Sequence, residues 1–372
     1  MNVLLVANSV VGYGANNSMI DMAAGLIELG VEITVLLPGH GDIVHELRRR
    51  KISYYMLPYE LSAYVSTSLH ERVKRFFKNL LLIKNAKKII VSRKIDIIHT
   101  NASNVDFGAI LAYVCNIPHV WHIRELLREH YDMKYYFPGL EKALMHRAGC
   151  LIAISRYVAQ KRDCGKNTLV IYNGFDVKKY AINKDQLFTS EIVHLLYCGE
   201  ITKQKGVMDA VKAIGELVNL GHENYRLDIV GTVGDYGSKL YRYIHENKLQ
   251  KYIFFHGYQT NMKPYREKTD IALMCSRNEA LGRVTIESML GECFVIGAKS
   301  GGTCELIKDG KTGSLYESGN SKQLAYNILM VHQDVDKSKA IVKKAKQFAL
   351  NRFNNKNYAN EIFKVYKNCL LR

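Results

Sequence analysis

Ile271-Ala272-Leu273-Met274-Cys275-Ser276-Arg277-Asn278-Glu279-Ala280-Leu281-Gly282-Arg283-Val284-Thr285-Ile286-Glu287 holds a strand, a loop and the start of a helix in one stretch. The run from Ile271 to Cys275 is apolar at every position, which marks a strand buried on both faces of a parallel sheet. A loop follows, and a helix begins near Arg283. Glu279 would stand in the loop above the strand. Gly282 lets a backbone approach a ligand closely. The N–H groups of Arg283 and Val284 at the helix start would face an anion. Glu287 sits one turn into the helix, where a carboxylate can accept two hydrogen bonds from a diol. Two carboxylates eight residues apart are, alone, ordinary solvated side chains. Here the first precedes a helix, follows an apolar strand and has a glycine three residues on, a context that favours a ligand site.

Outward from this stretch the alternation repeats in both directions. Ile192–Cys198, Arg226–Val230, Tyr252–Phe255 and Phe294–Ile296 read as further strands, with helices between them. In the first half Val3–Ala7, Ile33–Leu37, Ile95–His99, His119–Ile123, Cys150–Ile154 and Thr168–Tyr172 do the same. A Gly12-Tyr13-Gly14 turn follows the first strand, then a helix through Ile20 to Leu29. The segment Ala181–Glu191 is polar and breaks both periodicities, so it reads as a linker. After about Gln333 the pattern is helical, with Phe348, Phe353, Tyr358, Ile362, Phe363 and Tyr366 as apolar anchors. The expected fold class is α/β: two Rossmann-like, doubly wound domains facing a central cleft, with C-terminal helices. The expected domains are residues 1–180, residues 190–345, and a C-terminal helix, 346–372, crossing back to the first. In such sheets ligands bind beyond the carboxyl ends of the strands.

Composition narrows the function. The chain has 372 residues, a net charge of +17 and eight cysteines. A basic chain favours anionic partners. Between Arg48 and Lys94 thirteen Lys or Arg face two acids, Glu60 and Glu71, a local net of +11. Within it, Leu69–Lys94 reads as one long helix with an apolar side (Phe76, Phe77, Leu80, Leu81, Ile83, Ile89, Ile90) and a basic one. No cysteine pair has CxxC spacing, and several cysteines lie in apolar runs, so they read as buried reduced thiols. Val3–Ala7 is too short for a signal peptide and lacks a basic flank, and no run approaches the ~20 apolar residues of a membrane span. A cytoplasmic protein is expected. Asp334-Val335-Asp336 lies in a polar stretch between helical segments and reads as a solvated charge pair, so no metal is expected there.

In the first half, Gly12-Tyr13-Gly14-Ala15 lacks the third glycine of a dinucleotide loop, since Asn17 stands there. Leu37-Pro38-Gly39-His40 offers no acid for a ribose, and both features argue against NAD. His122 ends a predicted strand and could point into the cleft, or be a hydrogen-bonded structural histidine. His119 alternates to the other side and reads as structural. Arg124 and Glu125 follow in the same loop.

At these residues the chain resembles the retaining GT-B glycosyltransferases of family 4, the "glycosyl transferases group 1". The Glu279/Glu287 pair, with Gly282 and a helix start between, matches that family's signature. The likeness extends through Gly199…Lys205-Gly206, Phe255-His256-Gly257, Asp270–Leu273, Gly301-Gly302-Thr303-Cys304-Glu305 and Lys311-Thr312-Gly313. In the first half it takes in the early glycine loop, Ile117–Glu125, Ala153-Ile154-Ser155 and Asn173-Gly174-Phe175-Asp176. The resemblance implies that Glu287 holds the donor ribose and that Glu279 binds donor sugar hydroxyls near the reacting carbon. It implies that Gly282, Arg283 and Val284 offer phosphate-binding backbone and that Lys205 neutralises the diphosphate. It makes the Gly14 loop a lip of the cleft, places His122 near the donor sugar, and lets Arg124 touch the acceptor. The chain departs from the pattern at Glu200, where the family usually has an arginine contacting the diphosphate.

The implied function is retaining, metal-independent transfer from a nucleotide-diphosphate sugar, a UDP-sugar by default, to a glycan or lipid-linked acceptor in surface polysaccharide assembly. The donor is a substrate, and no cofactor is expected. Alternatives are a GT-B-like nucleotide-sugar epimerase and a basic nucleic-acid-binding protein; the latter lacks recognised binding modules, so no nucleic-acid partner is expected. The basic segment instead predicts peripheral binding to an anionic membrane, at the inner face of the cytoplasmic membrane.

Overall fold

The computed structural model describes residues 1–10, 14–162, 165, 168–184, 187–234 and 236–371. The chain divides into two compact units, Met1–Phe175 with Phe353–Arg372, and Asp176–Arg352.

The first unit contains strands β1 (Asn2–Val6), β2 (Glu32–Leu37), β3 (Ser53–Met56), β4 (Ala63–Tyr64), β5 (Ile97–Thr100), β6 (His119–Ile123), β7 (Lys134–Tyr135), β8 (Cys150–Ala153) and β9 (Thr168–Val170). Its helices are α1 (Gly14–Glu28), α2 (Ile43–Arg49), α3 (Leu69–Ser92), α4 (Phe107–Cys115), α5 (Leu127–Tyr131), α6 (Pro138–Arg147) and α7 (Arg156–Lys161). Seven strands form a parallel sheet in the order β3-β2-β1-β5-β6-β8-β9, and β4 pairs with β7 as a short antiparallel ribbon. Val3 to Val6 are wholly buried, as a central strand covered on both faces requires. Helix α3 starts where the Ser68 hydroxyl accepts the Glu71 N–H at 3.3 Å, an N-cap.

The second unit contains β10 (Val193–Cys198), β11 (Tyr225–Val230), β12 (Ile253–Phe255), β13 (Ile271–Met274), β14 (Phe294–Ala298) and β15 (Ser314–Tyr316). Its helices are α8 (Val177–Tyr180), α9 (Val207–Asn219), α10 (Gly237–Glu246), α11 (Lys263–Lys268), α12 (Arg283–Leu290), α13 (Thr303–Leu306), α14 (Ser321–Gln333) and α15 (Val335–Arg352). The sheet is parallel throughout, in the order β12-β11-β10-β13-β14-β15. Both sheets reverse their winding once, at β1/β5 and at β10/β13. Those switch points are where an open α/β sheet leaves a crevice.

The last helix, α16 (Asn355–Leu370), belongs to the first unit. It packs on α1, with Tyr358, Ile362, Val365 and Tyr366 in the core. Fully burying an aliphatic or aromatic side chain is worth roughly 1.5–3 kcal/mol, so these anchors hold the end of the chain in that unit.

The structure corrects several expectations. The polar segment 181–191 is fixed within the second unit: Ile182 N–H donates to Leu290 O at 3.1 Å, Lys184 N–H to Glu292 Oε2 at 2.7 Å and Phe188 N–H to Asp270 Oδ1 at 2.7 Å. The unit boundary lies at Phe175/Asp176, because these hydrogen bonds give the polar residues partners that a linker would leave to water. The expected helix 346–372 is two helices, with α15 in the second unit and α16 in the first. Strands β3 and β15 and the β4/β7 ribbon were not anticipated. Asp334 of the acidic triplet caps α15, its carboxylate accepting the Lys337 N–H at 3.2 Å. Gly12, Tyr13 and Cys164 lie outside the described residues, as do Asp185 and Gln186 of the expected linker.

Candidate functional site

In the second unit the sequence-predicted residues gather at the β10/β13 switch point. The loop after β10 is pinned by Tyr197, whose hydroxyl donates to Glu200 O at 3.2 Å and Lys205 O at 3.1 Å. This holds Lys205 beside the loop after β13, where its Nζ donates to Glu279 Oε2 at 2.8 Å. Lys205 and Glu279 keep 42% and 23% of their side-chain surface exposed. A pair this open contributes only about 0–1 kcal/mol to stability, so both groups remain reachable by a ligand.

The Glu279 loop is held by a close backbone approach. Gly302 N–H donates to Glu279 O at 2.7 Å. A Cβ at Gly301 would come within 2.5 Å of Glu279 O, and one at Gly302 within 2.5 Å of Ala280 O. The Gly301-Gly302 pair therefore belongs to the site as a clamp on its loop. Gly282 is the N-cap of α12, with φ of 98°, a left-handed conformation that side chains resist. It turns the chain so that the first-turn amides of α12, those of Arg283 and Val284, form the helix's positive end.

Glu287 lies one turn into α12, with its side chain only 12% exposed. One carboxylate oxygen accepts from Arg266 on α11, and the other lies 3.6 Å from Arg283 Nε. The Arg283 guanidinium also reaches the Tyr180 hydroxyl at 3.5 Å. No pattern in the sequence singles out Arg266, which is itself buried. Its partner stands twenty-one residues away, and no spacing rule links α11 to α12. Both glutamates thus have cationic neighbours, and the arrangement can bind a polyanion at Lys205 and the helix start, and hydroxyls at the carboxylates. Glu200 and Lys203 are exposed on the β10 loop.

The first unit treats its predicted residues differently. His122 was expected at a strand end; it lies within β6, wholly buried, its ring 5.4 Å from that of His99. Burial, then the charge of Arg124 and the neighbouring His99, hold its pKa well below the usual histidine value. Its Nδ1 is 3.3 Å from Arg124 Nη2, and its Nε2 has no hydrogen-bond partner. Arg124 was expected to meet an acceptor. It is buried, with Nε donating to Asn101 O and Oδ1 at 2.9 Å, Nη1 to Asn173 Oδ1 at 2.6 Å and Nη2 to the Tyr358 hydroxyl at 3.1 Å. It ties the loops after β5 and β9 to α16, which leaves the guanidinium engaged from every side. Glu125 is also buried, accepting the Ser103 N–H at 2.8 Å, and burial pushes its carboxyl up to about 7. His119 pairs through Nε2 with the Thr100 hydroxyl at 2.9 Å, a structural contact. Gly14 is the exposed first residue of α1, just beyond the carboxyl end of β1.

Comparison with known proteins fits this division. Residues 179–348 match the family model described as glycosyl transferases group 1, and residues 13–179 match that of glycosyltransferase family 4. An uncharacterized glycosyltransferase of Methanocaldococcus jannaschii is 27% identical over 86% of this chain and 91% of its own. The capsular polysaccharide biosynthesis glycosyltransferase CapM of Staphylococcus aureus is 23% identical over 82% of this chain and 83% of its own. Among solved structures, Anabaena HepE in complex with UDP superposes with a TM-score of 0.83 at 23% identity, covering 99% of this chain and all of that one.

Proposed function

Because the chain belongs to the family-4, group 1 glycosyltransferases and has their GT-B fold, we propose that it transfers a sugar from a nucleotide-diphosphate donor with retention of anomeric configuration and without a metal. The donor in this reading is a UDP-sugar, and the acceptor is a glycan or lipid-linked glycan of a surface polysaccharide. The UDP of HepE and the capsular role of CapM support those two choices.

The observation that carries the proposal is the juxtaposition of Lys205, Glu279 and the α12 start at the β10/β13 switch point. The diphosphate takes the place beside Lys205 and the amides of Arg283 and Val284, which lie at the positive end of α12. As the bond from the sugar to the diphosphate breaks, negative charge grows on the leaving oxygen. Lys205 and the helix amides stabilise that charge where it develops. Donor binding thus displaces Lys205 from Glu279 in part, and frees the Glu279 carboxylate to accept from sugar hydroxyls. Glu287, oriented by Arg266 and Arg283, accepts from the ribose diol. Lys205 with Arg283 supplies the positive charge that Glu200 withholds. His122, wholly buried in the first unit, is held neutral by its burial and is given no contact with the donor. The place of action is the inner face of the cytoplasmic membrane, with α3 as the attachment.

A thermal-shift series with UDP, GDP, ADP and their sugars tests the donor. A nucleotide at a hundred times its Kd should raise stability by about 2.7 kcal/mol. No shift with any of them would sink the proposal. NMR of the first-formed product should show the donor's anomer retained, and chelator should leave the rate unchanged.

A further inference from the structure

Helices α3, α4 and α6 enclose a groove of about 270 Å³ in the first unit. Its walls are Phe76 of α3, Ile110 and Tyr113 of α4, and Leu140, Ala143 and Leu144 of α6, with Arg147 at one end. The Arg147 guanidinium lies over the Tyr113 ring at 4.7 Å, so the groove has one cationic end and an apolar interior. Phe76 also touches Phe77, with ring centroids 6.0 Å apart, which joins the groove to the outer face of α3.

That outer face is apolar and basic together. Positions 77, 81, 84 and 88 fall on one helical stripe, and 80, 84, 87 and 91 on the next. Phe77, Leu80, Leu81 and Val91 are 57%, 36%, 79% and 75% exposed, far from core packing. Lys84, Lys87 and Lys88 are exposed among them. Helix α3 carries seven Lys or Arg against Glu71, α4 carries no charge, and α6 carries Lys142 and Arg147 against Glu141. Glu71 pairs with Arg75 and lies 3.9 Å from Lys74, Glu60 pairs with Lys78, and Glu141 is buried against Arg162, so these acids are engaged away from Lys84, Lys87 and Lys88. No described helix is long and apolar enough to cross a membrane. Exposed Phe and Leu interleaved with lysines suit the boundary of an anionic bilayer, where apolar side chains enter the acyl region and ammonium groups stay at the headgroups.

We propose that the α3/α4/α6 groove is a hydrocarbon-binding site that takes one lipid chain from an anionic bilayer lying against the outer face of α3. The headgroup phosphate meets Arg147, and the chain lies along Phe76, Ile110 and Leu144. The inference rests on the membrane placement given above and adds to it a site for a single chain; it requires no particular donor or acceptor.

The full chain carries a single tryptophan, Trp121, which is wholly buried. Tyr113→Trp therefore places a reporting indole at the groove. Co-sedimentation is measured with vesicles of phosphatidylcholine alone and of phosphatidylcholine with phosphatidylglycerol. Fluorescence is then compared between plain and bromine-labelled acyl chains. Binding is expected only with phosphatidylglycerol, together with quenching of the added indole by the bromines. The triple change Lys84→Gln, Lys87→Gln and Lys88→Gln should weaken binding on the order of 100-fold. Binding to phosphatidylglycerol vesicles without quenching would overturn the groove and leave surface attachment standing. Equal binding to neutral vesicles, or none to either, would overturn both.

Discussion

Strands of both sheets carry polar residues at or near their ends, turned to opposite uses. At β10/β13 Lys205 and Glu279 stay partly in solvent and hold each other through one hydrogen bond. In the first unit, around β5 and β6, His99, His122, Arg124 and Glu125 are buried, and Arg124 alone gathers Asn101, Asn173 and Tyr358. The first arrangement adds little stability and leaves charge ready for a ligand. The second removes charge from water and returns the cost as fixed geometry between loops and α16. Polarity at a strand end is thus no guide to function by itself; between Lys205 and Arg124 it is exposure that separates the two uses.

The largest effect should come from Arg124→Met. It breaks a buried network of charge-assisted hydrogen bonds and strands three polar partners, a loss of about 3–4 kcal/mol. Denaturant unfolding should show it, while nucleotide binding by the second unit persists. A change below about 1 kcal/mol would dissolve the contrast between the units.

Lys205→Met should do the reverse. Activity should fall about 10²–10³-fold, as for loss of one group stabilising a leaving charge. Stability should move by less than about 0.5 kcal/mol, because the pair is partly exposed to solvent. A stability loss as large as that of Arg124→Met would mean that Lys205 builds the fold instead.

Glu125 sharpens the comparison through pH. Its folded pKa is about 7, raised by burial from the ordinary value of 4.5. The neutral carboxyl therefore contributes stability that is full below about 4.5 and is lost as pH rises through 7. A shift of this size corresponds to roughly 3 kcal/mol. In Glu125→Gln that loss is absent, so the variant should gain on the parent between pH 5 and pH 8 in melting experiments. A constant difference across that range would show the carboxyl to be ionised throughout.

Much of this was legible in the sequence, for identifiable reasons. Strand β6 was placed to the residue, and β1, β2, β8, β10 and β13 within one, because continuous buried runs announce central strands of parallel sheets. Helix α3 was legible from its periodicity. Strands β3 and β15 were not, since Ser53-Tyr54-Tyr55-Met56 and Ser314-Leu315-Tyr316 are short edge segments without an apolar run. At the site, the local order strand, glutamate, glycine, helix start put Glu279, Gly282 and Glu287 in view. The cover over Arg124 was out of reach, because Tyr358 lies 234 residues further along the chain. Arg266 was invisible for the same reason: its role exists only once α11 and α12 are side by side.

The smallest of these effects tests the central claim, that the second unit holds a nucleoside diphosphate through Glu287. UDP is titrated calorimetrically into the parent and into Glu287→Gln, with circular dichroism to confirm the fold of each. Replacing a charged acceptor with an amide costs about 1.5–3 kcal/mol, so the variant should bind about 10- to 100-fold more weakly. Equal affinity in a folded variant would contradict the account and remove Glu287 from the donor site.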